Sequence, residues 1–129
     1  MSKQKGSRAE RELIDILWAN NYAAVRAAGS GVSRFYCPDI IASKGKNVFA
    51  IECKSTKKKI KYIDSKQAFE LKKFAEIFGA VPLIALRMDK QGWYFFQLED
   101  LEKTENGNLI INQKIIEKKA KIIYDLEKF

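Results

Sequence analysis

The chain has 129 residues, 24 of them Lys or Arg against 16 Asp or Glu, for a net charge of +8. At 47% hydrophobic and 31% charged residues, this is the composition of one globular domain, 1–129. It is long enough to bury a core and basic enough to favour a polyanionic partner, nucleic acid first and acidic membrane second. It has no histidine, which excludes histidine acid–base chemistry, HNH-type nucleases, Ser-His-Asp triads and His-ligated zinc, so a hydrolase here has to use carboxylates, lysine and a hard metal.

The densest apolar stretches, Val81–Leu86 and Trp93–Phe96, are far short of the ~20 residues of a membrane helix. The basic start Met1–Gly6 has no apolar stretch behind it, so no signal peptide is expected, and an intracellular, cytoplasmic setting near DNA with no membrane partner is the default. Two cysteines make no disulfide framework.

In chain order, Ser7-Arg8-Ala9-Glu10 fits a capping box and predicts a helix starting at Ser7, with Leu13, Ile14, Leu17 and Trp18 as its apolar stripe and its end near Asn20-Asn21. Tyr22 to Ala28 reads as a strand and Gly29–Arg34 as a loop. Two strands follow, about Cys37–Ser43 and Asn47–Ser55, joined around Gly45-Lys46, and then a basic connection over Thr56–Ile63. Asp64–Phe78 is a helix that buries Ala68, Leu71, Phe74, Ala75 and Phe78 and stops at Gly79. Val81–Met88 and Gly92–Leu98 are two further strands; the aromatics Trp93 to Phe96 suit a core or subunit interface better than base stacking. Glu105–Asn108 is a turn and Gln113–Lys128 a final amphipathic helix. The order predicts an α/β fold, a central mixed five-stranded sheet flanked by helices.

Closing the hairpin on Gly45-Lys46 sets Asp39 opposite Glu52, with Cβ atoms ~5 Å apart on one face. Lys54, two residues along from Glu52, shares that face, while Ile51 and Cys53 point the other way. Cys37 and Cys53 then face opposite sides, against a disulfide. Two facing carboxylates repel, and a divalent cation between them reverses that effect. Carboxylate, carboxylate and lysine on one face form a set suited to phosphodiester hydrolysis. The bland alternative is a strand-start Asp and a solvated Glu-x-Lys face. The apolar runs Ile40-Ile41 and Val48–Ile51 argue for a covered, central strand, where charges at the end are seldom idle.

Glu10 lies on the apolar stripe of the first helix and so points inward, although a capping role also explains it. Ser30 sits between glycines, where turn chemistry serves as well as function, and Gln67 stands near the start of the second helix. Lys57, Lys58, Lys59 and Lys61 directly follow the Glu-x-Lys strand, where a phosphate backbone would lie. Lys3, Lys5, Arg8 and Arg11 make a second basic cluster, and Arg26 and Arg34 flank the Gly-Ser-Gly loop.

Pro38-Asp39 with Glu52-Cys53-Lys54 resembles the PD-(D/E)xK nuclease signature. Together with Lys5-Gly6-Ser7-Arg8-Ala9-Glu10-Arg11-Glu12-Leu13, Val25-Arg26-Ala27-Ala28-Gly29-Ser30, Pro38-Asp39-Ile40-Ile41, Ile51–Ser55 and Gln67-Ala68 with Phe74-Ala75, the chain resembles archaeal Holliday-junction resolvases over nearly its whole length. The resemblance implies a restriction-endonuclease-like nuclease fold and a homodimer. It also implies Mg²⁺-dependent paired incisions in opposing strands of a four-way DNA junction during recombination and repair, with Mn²⁺ able to substitute. It makes Glu10, Asp39 and Glu52 the metal carboxylates, with the Cys53 carbonyl beside them, and Lys54 the catalytic lysine. Ser30 becomes a loop serine needed for cleavage, Gln67 a helix residue bordering the site, and Arg11 and Arg26 assistants at the DNA. The chain departs from the family at Cys53 and at Arg34-Phe35-Tyr36. Two alternatives are another nuclease of the superfamily, of restriction or repair type, and a basic DNA-binding module without catalysis. A protein partner such as a sliding clamp is not specified.

Overall fold

The computed structural model describes residues 3–27 and 34–129, with side chains described from Ser7 onward. Helix α1 spans Lys3–Ala19 and is followed by strands β1 (Ala23–Arg26), β2 (Ile40–Lys44) and β3 (Asn47–Thr56). Then come a short β4 (Lys61–Ile63), helix α2 (Ser65–Phe78), β5 (Val81–Met88) and β6 (Gly92–Phe96). The chain ends with a small hairpin, β7 (Glu102–Lys103) and β8 (Leu109–Ile111), helix α3 (Gln113–Lys119) and a 3₁₀ turn over Ile123–Lys128.

Five strands form one mixed sheet in the order β1-β2-β3-β5-β6, with β3 and β5 parallel and the other neighbours antiparallel. The β2–β3 hairpin closes on Gly45-Lys46, with Lys44 paired to Asn47 and Ile40 to Ile51. Gly45 has φ +61°, which glycine adopts without the steric cost of a Cβ at the first position of a tight hairpin loop. Strand β3 is central and covered on both faces. Phe49 and Ile51 pack with Leu13 and Leu17 of α1, while Ala50 packs with Ala68, Leu71 and Ala75 of α2. This is why its sequence is apolar without alternation. Asp64 caps α2 by accepting from the Lys66 N–H at 2.8 Å, and Gly79 ends it in the left-handed conformation at φ +84°.

Several sequence expectations need correction. Helix α1 starts at Lys3, so Ser7 is interior and caps nothing. Its hydroxyl instead accepts from Arg26 Nη2 at 2.7 Å. Of the residues predicted to be buried on α2, Phe74 is only partly covered and Phe78 is 52% exposed. The basic connection is not all loop, because Lys61–Ile63 pairs with β8 in a second, three-stranded sheet ordered β4-β8-β7. The strands of that sheet are too short to show a period of two in the sequence. The expected helix over Gln113–Lys128 breaks at Ala120, where the backbone turns extended and Lys121 bridges to Phe95. The backbone hydrogen bonds of that bridge outweigh the helical periodicity. The loop with Ser30 lies outside the described residues, as do the side chains of Lys3 and Lys5. Among the described residues, no helix is long and apolar enough to cross a membrane.

Candidate active site

The site forms where β3 leaves the core. Its apolar stretch ends at Ile51, and Glu52 is the one charged side chain among the described residues that is fully buried, at 4% exposure. Carried one residue beyond Ile40–Ile51, the hairpin register brings Asp39 to Glu52, close enough that the charge of Asp39 acts on Glu52. Asp39 is pinned from two further directions. Its Oδ2 accepts from the Cys53 N–H at 2.8 Å, and its carbonyl accepts from the Ala27 N–H at 2.9 Å.

Burial governs the charge of this pair. Removal from water raises Glu52 to about 7, and the neighbouring Asp39 charge adds to that, against the opposing help of the Tyr36 hydroxyl and Lys54. Asp39 is raised as well, by desolvation first and by the charge of Glu10, while the Cys53 N–H and Lys54 pull it back. Both shifts run in the same direction, so each carboxyl holds its proton more tightly than it would in water. A buried carboxylate beside a half-buried one, with too little positive charge, is a destabilising arrangement that a bound cation would relieve. The donor set of carboxylate oxygens suits a hard divalent ion. The thiol of Cys53 is pushed well up by burial and by the carboxylates around it, so its side chain stays protonated.

Lys54 lies on the same face as Glu52, and its Nζ donates to Gln67 Oε1 on the first turn of α2 at 2.6 Å. The glutamine thus aims the lysine. Glu10 comes from the opposite side of the sheet, where Arg26 Nε donates to its Oε1 at 2.7 Å. Glu10 is close enough for its charge to raise Asp39. Even so, no three carboxylate or thiol groups among the described residues converge into a ready-made metal cluster. Asp39, Glu52, Lys54 and Gln67 come together as read from the sequence, while Glu10 stands beside them with its charge matched by Arg26.

The basic residues divide. Lys57, Lys58 and Lys59 are exposed on the loop after β3, and Lys61 is half-buried in β4, near enough to Lys54 that burial and the like charge lower its pKa. Arg8 and Arg11 are exposed on α1. Arg34 is exposed, with its guanidinium 5.4 Å from the centre of the Phe35 ring. Arg26, expected at the DNA, is committed to Glu10 and Ser7.

Two features escaped sequence reasoning. Tyr36 donates its hydroxyl to Glu52 Oε1 at 2.6 Å; the sequence signal is an aromatic residue two places before Pro38, too weak to read alone. Glu12 accepts from Arg87 Nε at 2.9 Å and Trp93 Nε1 at 2.7 Å, fastening α1 to the far strands. A contact between residues 75 or more apart leaves no local signal.

Comparison with known proteins identifies the family and the fold. The family model described as archaeal Holliday junction resolvase (hjc) matches residues 1–128. The chain is 44% identical over 105 residues to the crossover junction endodeoxyribonuclease Hjc of Archaeoglobus fulgidus, covering 81% of this chain and 77% of that one. It is 35% identical over 127 residues to the crossover junction endodeoxyribonuclease Hje of Saccharolobus solfataricus, covering 92% and 94%. A solved structure of the Archaeoglobus fulgidus Hjc matches with a TM-score of 0.89 at 38% identity, over 94% of this chain and 97% of that chain. The five-stranded sheet, its helices and the match over residues 1–128 leave one assignment: the chain belongs to the archaeal Holliday junction resolvase family.

Proposed function

We propose that this chain is a structure-selective endodeoxyribonuclease that resolves four-way DNA junctions by paired incisions in opposing strands. The observation that carries the reading is the buried Glu52 paired with the half-buried Asp39, with Lys54 on the same face. A protein that only bound DNA would gain nothing from burying negative charge at its DNA face.

Asp39, Glu52 and the backbone carbonyl of Cys53 would hold Mg²⁺, or Mn²⁺ in its place, with Glu10 alongside. When bound, such an ion lowers the pKa of a coordinated water and offsets charge on the phosphate. The chain's own groups do the rest. Lys54, aimed by Gln67, presents its ammonium where negative charge builds up on the scissile phosphate. Lys57, Lys58 and Lys59 hold the adjoining backbone, a contact to phosphate that does not depend on base sequence. Arg8, Arg11 and Arg34 add positive charge around the site, and Ser30 acts from the loop.

The enzyme works as a homodimer. A two-fold assembly suits a junction of approximate two-fold symmetry, and α2 leaves Phe69, Ile77 and Phe78 exposed at 66%, 78% and 52%, apolar area of the kind that subunit contacts cover.

The test is cleavage of a four-way junction and a linear duplex of the same sequence, with Mg²⁺ and with chelator. Nicking of the junction alone, and only with the metal, is expected. Equal cutting of both substrates would identify a different nuclease of the superfamily, and tight binding without cutting in Mg²⁺ or Mn²⁺ would make the chain a binding module.

A further inference from the structure

We propose that Tyr36 is a positioning residue for strand cleavage: its hydroxyl fixes the Glu52 carboxylate, and the aromatic stack behind it on α2 fixes Tyr36. The inference rests on the reading of Asp39 and Glu52 as the active site.

Tyr36 lies in the irregular segment just before Pro38-Asp39, half-buried, and donates to Glu52 Oε1 at 2.6 Å. A carboxylate turns freely about its last torsion unless something holds it. Here one oxygen is committed to a phenol whose ring packs against α2. The ring meets Phe74 edge-on, with centroids 6.2 Å apart at 69°, and Phe74 stacks on Phe78 at 5.2 Å and 18°. Such aromatic pairs are directional. Helix α2 therefore braces both sides of the site: Gln67 aims Lys54, and Phe74, through Tyr36, aims Glu52. Partners of this kind, which orient a metal ligand without touching the metal, typically change metal affinity or activity about 10–100-fold when removed. With the phenol holding Oε1, the rest of the carboxylate is presented in one orientation toward Asp39. Without it, Glu52 has several orientations, and the cation and the substrate phosphate must select one.

Wild type, Tyr36→Phe, Phe74→Leu and Glu52→Gln are compared by three measurements. These are calorimetric binding of Mn²⁺ alone, junction binding in chelator, and steady-state cleavage of the junction in saturating Mg²⁺. Tyr36→Phe keeps the ring and loses only the hydroxyl. It is expected to bind Mn²⁺ about tenfold more weakly and to lose about tenfold in kcat, with KM and metal-free junction affinity near wild type and a thermal midpoint lower by a few degrees. Phe74→Leu keeps the hydroxyl and loosens the ring, and should move Mn²⁺ affinity and kcat in the same direction by less. It decides the matter should Tyr36→Phe fold poorly. Wild-type Mn²⁺ affinity and kcat in both variants, with Glu52→Gln inactive, would overturn the role of Tyr36 and leave the site standing. Wild-type cleavage by Glu52→Gln would overturn the site itself, and the role of Tyr36 with it.

Discussion

Arg26 on the edge strand and Glu10 on helix α1 are joined by a hydrogen-bonded ion pair at 2.7 Å, and the same guanidinium reaches Ser7. The pair is mostly shielded, with side chains 29% and 17% exposed. It ties α1 to β1 at the end of the sheet where the active-site pair lies. Arg26→Ala should lower the unfolding free energy by roughly 1–2 kcal/mol, the range for a partly buried, charge-assisted bond. Arg26→Lys should recover less than half, because a single ammonium cannot serve both partners as the planar fork does. Urea denaturation midpoints check this, and an unchanged midpoint for Arg26→Ala would show that the clamp contributes nothing.

Glu52 makes stability depend on pH in the metal-free protein. Its folded pKa of about 7 lies above the ordinary 4.5, so the folded state holds the proton more tightly than the unfolded state. That contribution is complete below about pH 4.5 and is lost as pH rises through about 7. Asp39 is shifted in the same direction. The metal-free protein should therefore melt at progressively lower temperature over this window. Glu52→Gln, which removes the buried charge and keeps the shape, should flatten the decline and be more stable than wild type at pH 7.5 by about 1–3 kcal/mol, while losing cleavage. A Glu52→Gln protein less stable than wild type at that pH would contradict it.

Lys54 and Gln67 should separate cleavage from binding. Lys54→Ala is expected to lose on the order of 10²–10³ in kcat, the scale for removing a group that meets developing charge. Gln67→Ala, which leaves the lysine unaimed, should lose about tenfold. Asp39→Asn should abolish cleavage. All three should bind a junction in chelator about as well as wild type. Substantial residual activity in Asp39→Asn would remove that residue from the site.

The loop lysines are expected to act through phosphate alone. Changing Lys57, Lys58 and Lys59 together to Ala should weaken junction binding and flatten its dependence on salt. The drop in slope should be about 0.9 for each phosphate that the variant no longer neutralises. A gel-shift titration from low to moderate salt measures it, and an unchanged slope would place the DNA elsewhere on the surface.

The order of the main elements, the five-stranded sheet and the register of the β2–β3 hairpin were legible in the sequence. Each rests on local pattern: the Gly45-Lys46 turn, the unbroken apolar run of Phe49 to Ile51, and the Asp64 and Gly79 caps of α2. That register alone set Asp39 beside Glu52 and put Lys54 on their face, because a strand alternates with a period of two whatever surrounds it. Tertiary structure decided what the charges do. Glu10 read as an inward-pointing site residue with a capping role beside Ser7 as the alternative, but the helix begins at Lys3, and both residues turn to Arg26. Tyr36 became the hydrogen-bond donor to Glu52, and Gln67 the partner of Lys54. The short β4, β7 and β8 strands formed only by pairing with one another. Asp39 and Glu52 are two carboxylates in the sequence. Their raised affinity for protons exists only because α2 and the sheet exclude water around them, and burial is a property of the packed chain.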